Sequence, residues 1–516
     1  MRSPSEPAMP RGPAALVAAG LVALNFGALA AVAGRADGAG GLSAADWSAL
    51  RFTVMQAALS ALLSVALAIP VARALARRRF PGRGALIVLM GAPFILPVLV
   101  AVSGLLAVFG RNGWVNDALG LVGLPTVSIY GLHGILLAHV FFNLPLSVRL
   151  ILQGWARVPS EHLRLSATLG FDASARFRHI EAPMLARVVP GALGVVFLIC
   201  LTSFAVALTL GGGPRATTLE LAIYQAFRFE FDLGRAALLA GVQAAVGLAA
   251  LVLLTRATLP EMRATGHDRP APPPPGGLEL VLDAGAIALA AGFLLVPLVA
   301  VLARGLPHLW GLPAPVWAAL GRSLLVAGAS VLLLAAMALA LTLAALTRRW
   351  PEIAGSLALV SSPLVIGTGL FIVIHPLADP AALALPITAL VNAAMALPFA
   401  LRAILPAARR AQADYGRLAQ VLGLDRRAQW RLVLWPRLRR PAGFALGLGA
   451  ALSLGDLGVI VLFAQTGGET LPMQLQRLMG AYRTDDAAGA AVLLLAVALA
   501  GFVVVERLVG GRDADA

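Results

Sequence analysis

The sequence predicts an all-α membrane protein of about twelve transmembrane helices, arranged as two parallel six-helix repeats. Three observations carry this: composition, the length of the apolar runs, and self-similarity. Hydrophobic residues make up 59% of the chain and charged residues 13%, with a mean hydropathy of +0.86. A soluble domain carries roughly a quarter charged residues. The apolar residues fall into runs of roughly twenty, the length an α-helix needs to cross the hydrocarbon core. A β-barrel would instead show alternating segments of about ten.

The twelve runs lie near 13–34, 52–75, 85–109, 129–152, 187–210, 235–256, 279–303, 322–346, 353–375, 380–403, 441–464 and 486–508. Arg2 and Arg11 before the first run imitate a secretory signal, but the run has no clean small-residue cleavage site. An uncleaved span is the expectation.

All 40 basic residues are Arg; the chain contains no Lys. With the N-terminus inside, 30 Arg fall on the cytoplasmic side and 10 outside. The inside clusters are Arg73–Arg83, Arg149–Arg187, Arg256–Arg269, Arg348–Arg349 and Arg402–Arg440. This is the positive-inside bias, and it places both termini in the cytoplasm. The net charge of +15 is therefore topological and does not mark a nucleic-acid partner. One cysteine, Cys200, excludes a disulfide framework and a cysteine metal cluster. Without Lys there is no P-loop and no Schiff-base lysine. Any nucleotide energy must come from another chain.

Laid against itself, His139–Val188 aligns without a gap on Asn392–Pro441, 253 positions on, with 16 of 50 pairs identical. Among them are Pro145/Pro398, Arg149/Arg402, Arg164/Arg417, Gly170/Gly423, Asp172/Asp425 and Pro183/Pro436. Upstream, Arg51–Arg78 resembles Arg322–Arg349, and Pro93 falls on Pro363. Shared Leu/Ala composition does not place Gly, Asp and Pro at matched intervals in a polar loop. Six spans per half make the halves parallel repeats. The expected division is a first half at 1–257, a Pro-rich cytoplasmic linker at 258–278 and a second half at 279–516.

The two matched loops are both cytoplasmic. One reads Arg164-Leu-Ser-Ala-Thr-Leu-Gly170 and then Ile180-Glu-Ala-Pro183; the other reads Arg417-Leu-Ala-Gln-Val-Leu-Gly423 and then Val433-Leu-Trp-Pro436. Gly permits a positive φ, and Pro is expected to stop the second helix where the next span begins. The Gly-to-Pro spacing of 13 in both loops resembles the Glu-Ala-Ala loop of bacterial ABC importer permeases. Both loops depart from it at the opening, where Arg164 and Arg417 replace the Glu. The resemblance implies a type I ABC importer permease fold and two coupling loops, each received by one of two copies of a separate ATPase. ATP and Mg would be bound there, leaving no cofactor, metal or catalytic residue on this chain.

Further stretches are similar to the fused thiamine importer permeases. They are Tyr130–Pro145, Ser203-Phe-Ala, Gly211–Gln225, Ser453-Leu-Gly-Asp-Leu-Gly458 and Thr470-Leu-Pro-Met. The resemblance runs from about residue 50 to 508. It implies import of thiamine and its phosphate esters across a bacterial inner membrane, with a periplasmic thiamine-binding protein as partner. A fused ferric-ion permease shares the twelve-span plan and is the nearest alternative. From another class, an ion-driven secondary transporter is also built from parallel repeats.

Ionisable groups inside spans are functional candidates. Asp456 lies in the eleventh run between glycines, where its carboxylate could attract a passing cation or bond a neighbouring helix; with Ser203 and Phe204 it forms the candidate substrate pathway. His133, His139 and Asn143 on the fourth span and Asn392 on the tenth read better as interhelical hydrogen bonders than as a metal site. Two histidines six apart do not share a helical face. The polar loops Gly211–Leu233 and Gln465–Asp486 lie outside, with Arg215, Glu220, Glu230 and Asp232 in the first and Glu469, Arg483, Asp485 and Asp486 in the second. They are either mixed-sign surfaces where a binding protein docks or solvated loops with no partner.

Overall fold

The computed structural model describes residues 11–36, 41–91, 93, 95–256, 277–359, 362–465 and 467–511. Every regular element among them is helical. The connector expected at 258–278 lies outside the described residues except at its last two positions.

The first half runs through α1 (Gly12–Arg35), α2 (Ala44–Arg77), α3 (Val98–Phe109), α4 (Leu132–Ala156), α5 (Ser160–Thr168) and α6 (Ala182–Leu201). It continues with α7 (Phe204–Leu210), α8 (Leu219–Arg228) and α9 (Leu233–Arg256). The second half comprises α10 (Gly277–Gly305), α11 (Ala314–Ala345), α12 (Pro363–Ile374) and α13 (Ala384–Val421). It closes with α14 (Trp435–Gly455), α15 (Ile460–Phe463), α16 (Leu471–Gly480) and α17 (Thr484–Gly510).

Eleven helices among the described residues are long and apolar enough to cross a membrane. The ninth expected span, 353–375, is instead broken into Trp350–Gly355 and the 12-residue α12. The third breaks likewise, into Arg83–Leu89 and α3. A proline stands at the restart of both helices, where it lacks an N–H and pushes the preceding residue out of the helical region. Pro363 opens α12 behind Ser362, whose hydroxyl accepts from Val365 N at 3.1 Å. Pro93 lies in the first-half break and Pro97 caps α3, so Pro93 and Pro363 are not structural equivalents.

The tenth span overruns its expected end at 403. Although Pro398 and Pro406 lie within it, α13 continues to Val421. The corresponding helix of the first half stops at Ala156 and restarts at Ser160 behind Pro159. Gln412 stands where Pro159 would fall, so nothing interrupts the second copy.

The halves exchange their first helices. A Cβ on Gly104 of α3 would lie 2.5 Å from Pro297 O of α10, and one on Gly369 of α12 would lie 2.4 Å from Ala28 O of α1. Each half's third helix thus meets the other half's first helix at a glycine. Close backbone approach through small residues is how helices associate where lipid supplies no hydrophobic drive. The short amphipathic helices cross over too. Phe227 of α8 packs edge-on against Phe371 of α12, centroids 4.5 Å apart, while Ser103 of α3 contacts Met479 Sδ of α16 at 3.8 Å.

Hydroxyls set the register of the repeat. Thr53 accepts from Leu219 N at 2.8 Å and Ser323 accepts from Leu471 N at 2.7 Å, each anchoring the start of an amphipathic helix. Thr53 and Ser323 are 270 positions apart, so the pairing of Arg51 with Arg322, at 271, is out by one residue.

Candidate functional site

The two repeated loops fold into the same local structure. Gly170 has φ +64° and Gly423 φ +63°. At the first, Phe171 N donates to Ser166 O at 2.9 Å and Gly170 N to Ala167 O at 3.2 Å. At the second, Leu424 N donates to Ala419 O at 2.9 Å and Gly423 N to Gln420 O at 3.0 Å. This paired pattern closes a helix with a left-handed residue, where glycine is favoured. The next helix then starts on an aspartate cap: Asp172 Oδ1 accepts from Ala175 N and Asp425 Oδ1 from Ala428 N, both at 2.8 Å.

Pro183 and Pro436 do not stop the helices that follow, contrary to expectation. The chain runs on through both into α6 and α14. The turn before each proline widens instead: Ala182 N reaches back five residues to Phe177 O, and Trp435 N to Trp430 O. The wide turn makes room for a ring that would otherwise strike the carbonyl four residues earlier. Ile180 is half-buried and Val433 buried inside these turns.

Arg164 and Arg417 are both exposed. Beside them stand two leucine pairs that the motif comparison passed over. Leu165 and Leu169 are 57% and 59% exposed, Leu418 and Leu422 52% and 63%. Their identity at matched positions was visible in the alignment; that they face outward was not. Each loop thus presents a leucine pair, one helical turn apart, at a helix end closed by a glycine turn with an aspartate cap beyond it; that helix is the 9-residue α5 in the first half and the 38-residue α13 in the second. Four matched leucines left uncovered form exposed apolar surface at the two repeated turns.

Ser203 and Asp456, also 253 positions apart, both fall where a long helix breaks: Ser203 between α6 and α7, Asp456 between α14 and α15. Gln56 Nε2 donates to Cys200 O and Gln243 Nε2 to Leu201 O, each at 3.0 Å, covering carbonyls that the first break frees. Asp456 Oδ1 accepts from Gly458 N at 3.2 Å, while Oδ2 is buried with no hydrogen-bond partner. The break lies where the halves meet. A Cβ on Gly455 would come 3.1 Å from Pro97 of the first half, and one on Gly458 3.0 Å from Pro363 of the second. Phe204 is buried and packs edge-on against Tyr224, centroids 5.4 Å apart. The structure does not bring Ser203 and Phe204 into contact with Asp456 through any hydrogen bond or ring contact among the described residues.

Behind each break sits a polar cluster. Ser60 Oγ lies 2.9 Å from His139 Nδ1, and Asn143 Nδ2 is 3.3 Å from Cys200 Sγ. In the second half Ser330 Oγ lies 2.9 Å from Ser453 Oγ, which accepts from Asn392 Nδ2 at 3.1 Å. His139 is therefore an interhelical bonder whose place Asn392 takes in the repeat. His133 bonds the backbone carbonyl of Ser128.

Glu220, on α8 between the fifth and sixth spans, is not the surface charge expected of the loop Gly211–Leu233, because the helix turns it inward. It is 1% exposed, Gln243 Nε2 donates to its Oε1 at 3.3 Å, and no Arg among the described residues is ion-paired with it. Burial pushes its carboxyl up to about 8, against a smaller opposing effect of a hydrogen bond with Ser362. Ser362 caps α12, so this acid lies across the boundary between the halves.

No protein-family model matches the chain. Whole-chain relatives do. The chain is 43% identical over 517 residues to the thiamine transport system permease protein of Brucella abortus (strain 2308), covering 96% of this chain and 95% of that one. It is 41% identical over 482 residues to that of Salmonella typhimurium (strain LT2), covering 90% and 89%. With that of Escherichia coli (strain K12) it shares 40% over 479 residues, again covering 90% and 89%. A weaker likeness, 26% over 137 residues, reaches the sulfate transport system permease protein of Synechococcus elongatus. With multiple spans, paired loops and near full-length identity at this level, the chain belongs to the family of thiamine transport system permease proteins of the ABC type.

Proposed function

We propose that this chain is the membrane-embedded channel of an importer that carries thiamine, and its phosphate esters, across the inner membrane of a bacterium. Both termini lie in the cytoplasm. The observation that carries the reading is the pair of identical glycine turns with outward leucines, in a chain so similar to thiamine transport permeases. Two copies of a separate ATPase each receive one turn. Binding of ATP, with Mg, on those subunits draws the turns together; the halves rock apart on the far side and accept substrate from a periplasmic thiamine-binding protein. Hydrolysis reverses the motion. No bond to substrate forms or breaks on this chain.

The crossed first helices couple the halves, because each half's first helix meets the other's third helix at a close glycine contact. Asp456, with one unpartnered oxygen at the junction of the halves, supports passage of a cation such as the thiazolium ring. Ser203 and Phe204 line the equivalent break on the other side. Expressed with its partners in a thiamine auxotroph lacking uptake, the system restores growth on low thiamine. Rescue by ferric ion in an iron-uptake mutant, with none by thiamine, would overturn the substrate.

A further inference from the structure

Two residues other than glycine hold a positive φ among the described residues, and both are large aromatics: Phe231 at +54° and Tyr482 at +58°. They occupy the same place in each half, two residues before the last helix (α9 begins at Leu233 and α17 at Thr484) and after the amphipathic helix. One membrane-spanning helix separates each of these turns from the glycine turn of its half, Ser174–Leu201 in the first and Arg426–Phe463 in the second, which puts them on the opposite face. Tyr482 fills a helix-ending slot of the kind glycine fills at Gly170 and Gly423. Tyr482 N donates to Met479 O at 3.2 Å and Arg483 N to Leu478 O at 3.0 Å. At the first turn the counterpart bond runs from Asp232 N to Ala226 O at 3.0 Å.

A β-carbon is strained in this conformation and glycine is not. Strain that persists at an exposed turn signals a demand other than folding. Nor do the rings fill the core: Phe231 is 80% exposed and Tyr482 89%. A rigid aromatic side chain standing clear of its own protein suits an anchor that enters a pocket on a partner.

We infer that Phe231 and Tyr482 are paired anchors for the soluble, substrate-loaded carrier protein. This rests on the importer reading above. Repetition of the anchor once per half fits a single partner that bridges both halves. The flanks define its surface and are of mixed sign: Arg228, Glu230, Asp232 and Arg235 surround Phe231, and Arg483, Asp485 and Asp486 follow Tyr482. Mixed-sign flanks fit an apolar notch rimmed by complementary charges on a protein partner. Glu230 is held by Arg235 and Asp486 by Arg483, so the charges are fixed in place around the rings.

The test uses the complete permease with its ATPase in lipid nanodiscs and the purified thiamine-loaded carrier, with binding followed by biolayer interferometry. Phe231→Gly and Tyr482→Gly relieve backbone strain, so each should melt at or above the wild-type temperature while weakening carrier binding at least tenfold. Tyr482→Phe should bind as the wild type does. Carrier-independent ATP hydrolysis should be unchanged, and carrier-stimulated hydrolysis should reach the same plateau at a higher carrier concentration. Wild-type affinity in both glycine variants overturns the inference and leaves the importer reading standing. Loss of nanodisc stability with unchanged carrier affinity assigns the rings to the bilayer and overturns it too. If the wild-type complex neither binds the carrier nor responds to it, both readings fall.

Discussion

Gly423 repeats the backbone of Gly170: the two stand at φ +63° and +64°, each followed two residues later by an aspartate that caps the next helix. Neither has a neighbour within 4 Å of where a Cβ would stand, so backbone conformation rather than space selects glycine. Gly170→Val or Gly423→Val should strain the turn by about 1–3 kcal/mol. Uptake should be lost while the chain still inserts. Normal transport with intact ATPase pull-down in both single variants would remove these turns from the coupling mechanism.

The leucine pairs allow a separate check that leaves the turn alone. Exposed side chains contribute little to folding, so Leu169→Ser with Leu422→Ser should leave the melting temperature within about a degree or two of wild type. Co-purification of the ATPase should fall at least tenfold. Retention of the ATPase at wild-type stoichiometry would mean that the contact lies elsewhere.

The glycine crossings predict a steric outcome. In Gly369→Val the first new carbon would sit 2.4 Å from a backbone oxygen of Ala28, which no side-chain rotation relieves. Overpacking of this kind costs about 1–3 kcal/mol. The melting temperature should drop, whereas Gly285→Val, with nothing within 4 Å, should not lower it. Equal melting of the two variants would contradict the crossing.

Glu220 predicts a pH dependence with a definite sign. Buried, its carboxyl keeps a proton up to about pH 8, while its ordinary value is 4.5. The packed state therefore binds more protons than an opened one between these limits. Raising the pH through that window weakens packing by up to ~1.4 kcal/mol per pH unit, and the loss stops above about pH 8. Melting curves of the purified protein from pH 5 to 8 should fall more steeply for the wild type than for Glu220→Gln. Parallel profiles would show that this carboxyl is not the titrating group.

Asp456→Asn keeps the shape of the side chain and removes its charge. If the unpartnered oxygen meets the cation in transit, radiolabelled thiamine uptake should fall several-fold with expression and melting unchanged. Unaltered uptake would leave Asp456 as a helix-break residue alone, bonded to Gly458.

Much of this protein is one-dimensional information. The spans follow from run length because the bilayer imposes a single thickness on every helix. The glycine turns and aspartate caps were legible as a matched Gly-x-Asp frame because each is made within a few consecutive residues. The broken third and ninth spans were less so: Pro93, Pro97 and Pro363 signal interruption, but Pro398 and Pro406 carry the same signal and α13 runs through both. Whether a proline breaks a helix depends on how neighbours satisfy the freed carbonyls, and those neighbours are distant in the chain.

Sequence alone determined that this chain lies in a membrane, that it is a duplication, and that two loops repeat one another. Only the tertiary structure decided that α1 packs against α12 and α10 against α3, that Thr53 rather than Arg51 sets the register, and that Asp456 sits in a break where the halves meet. Burial in lipid is a property of composition and can be read along the chain. Partner choice between helices is not, because lipid is as apolar as leucine and leaves no hydrophobic gradient to select neighbours. That choice is made by the fit of a few small residues, such as Gly104 and Gly369, against backbone that only the folded chain brings near.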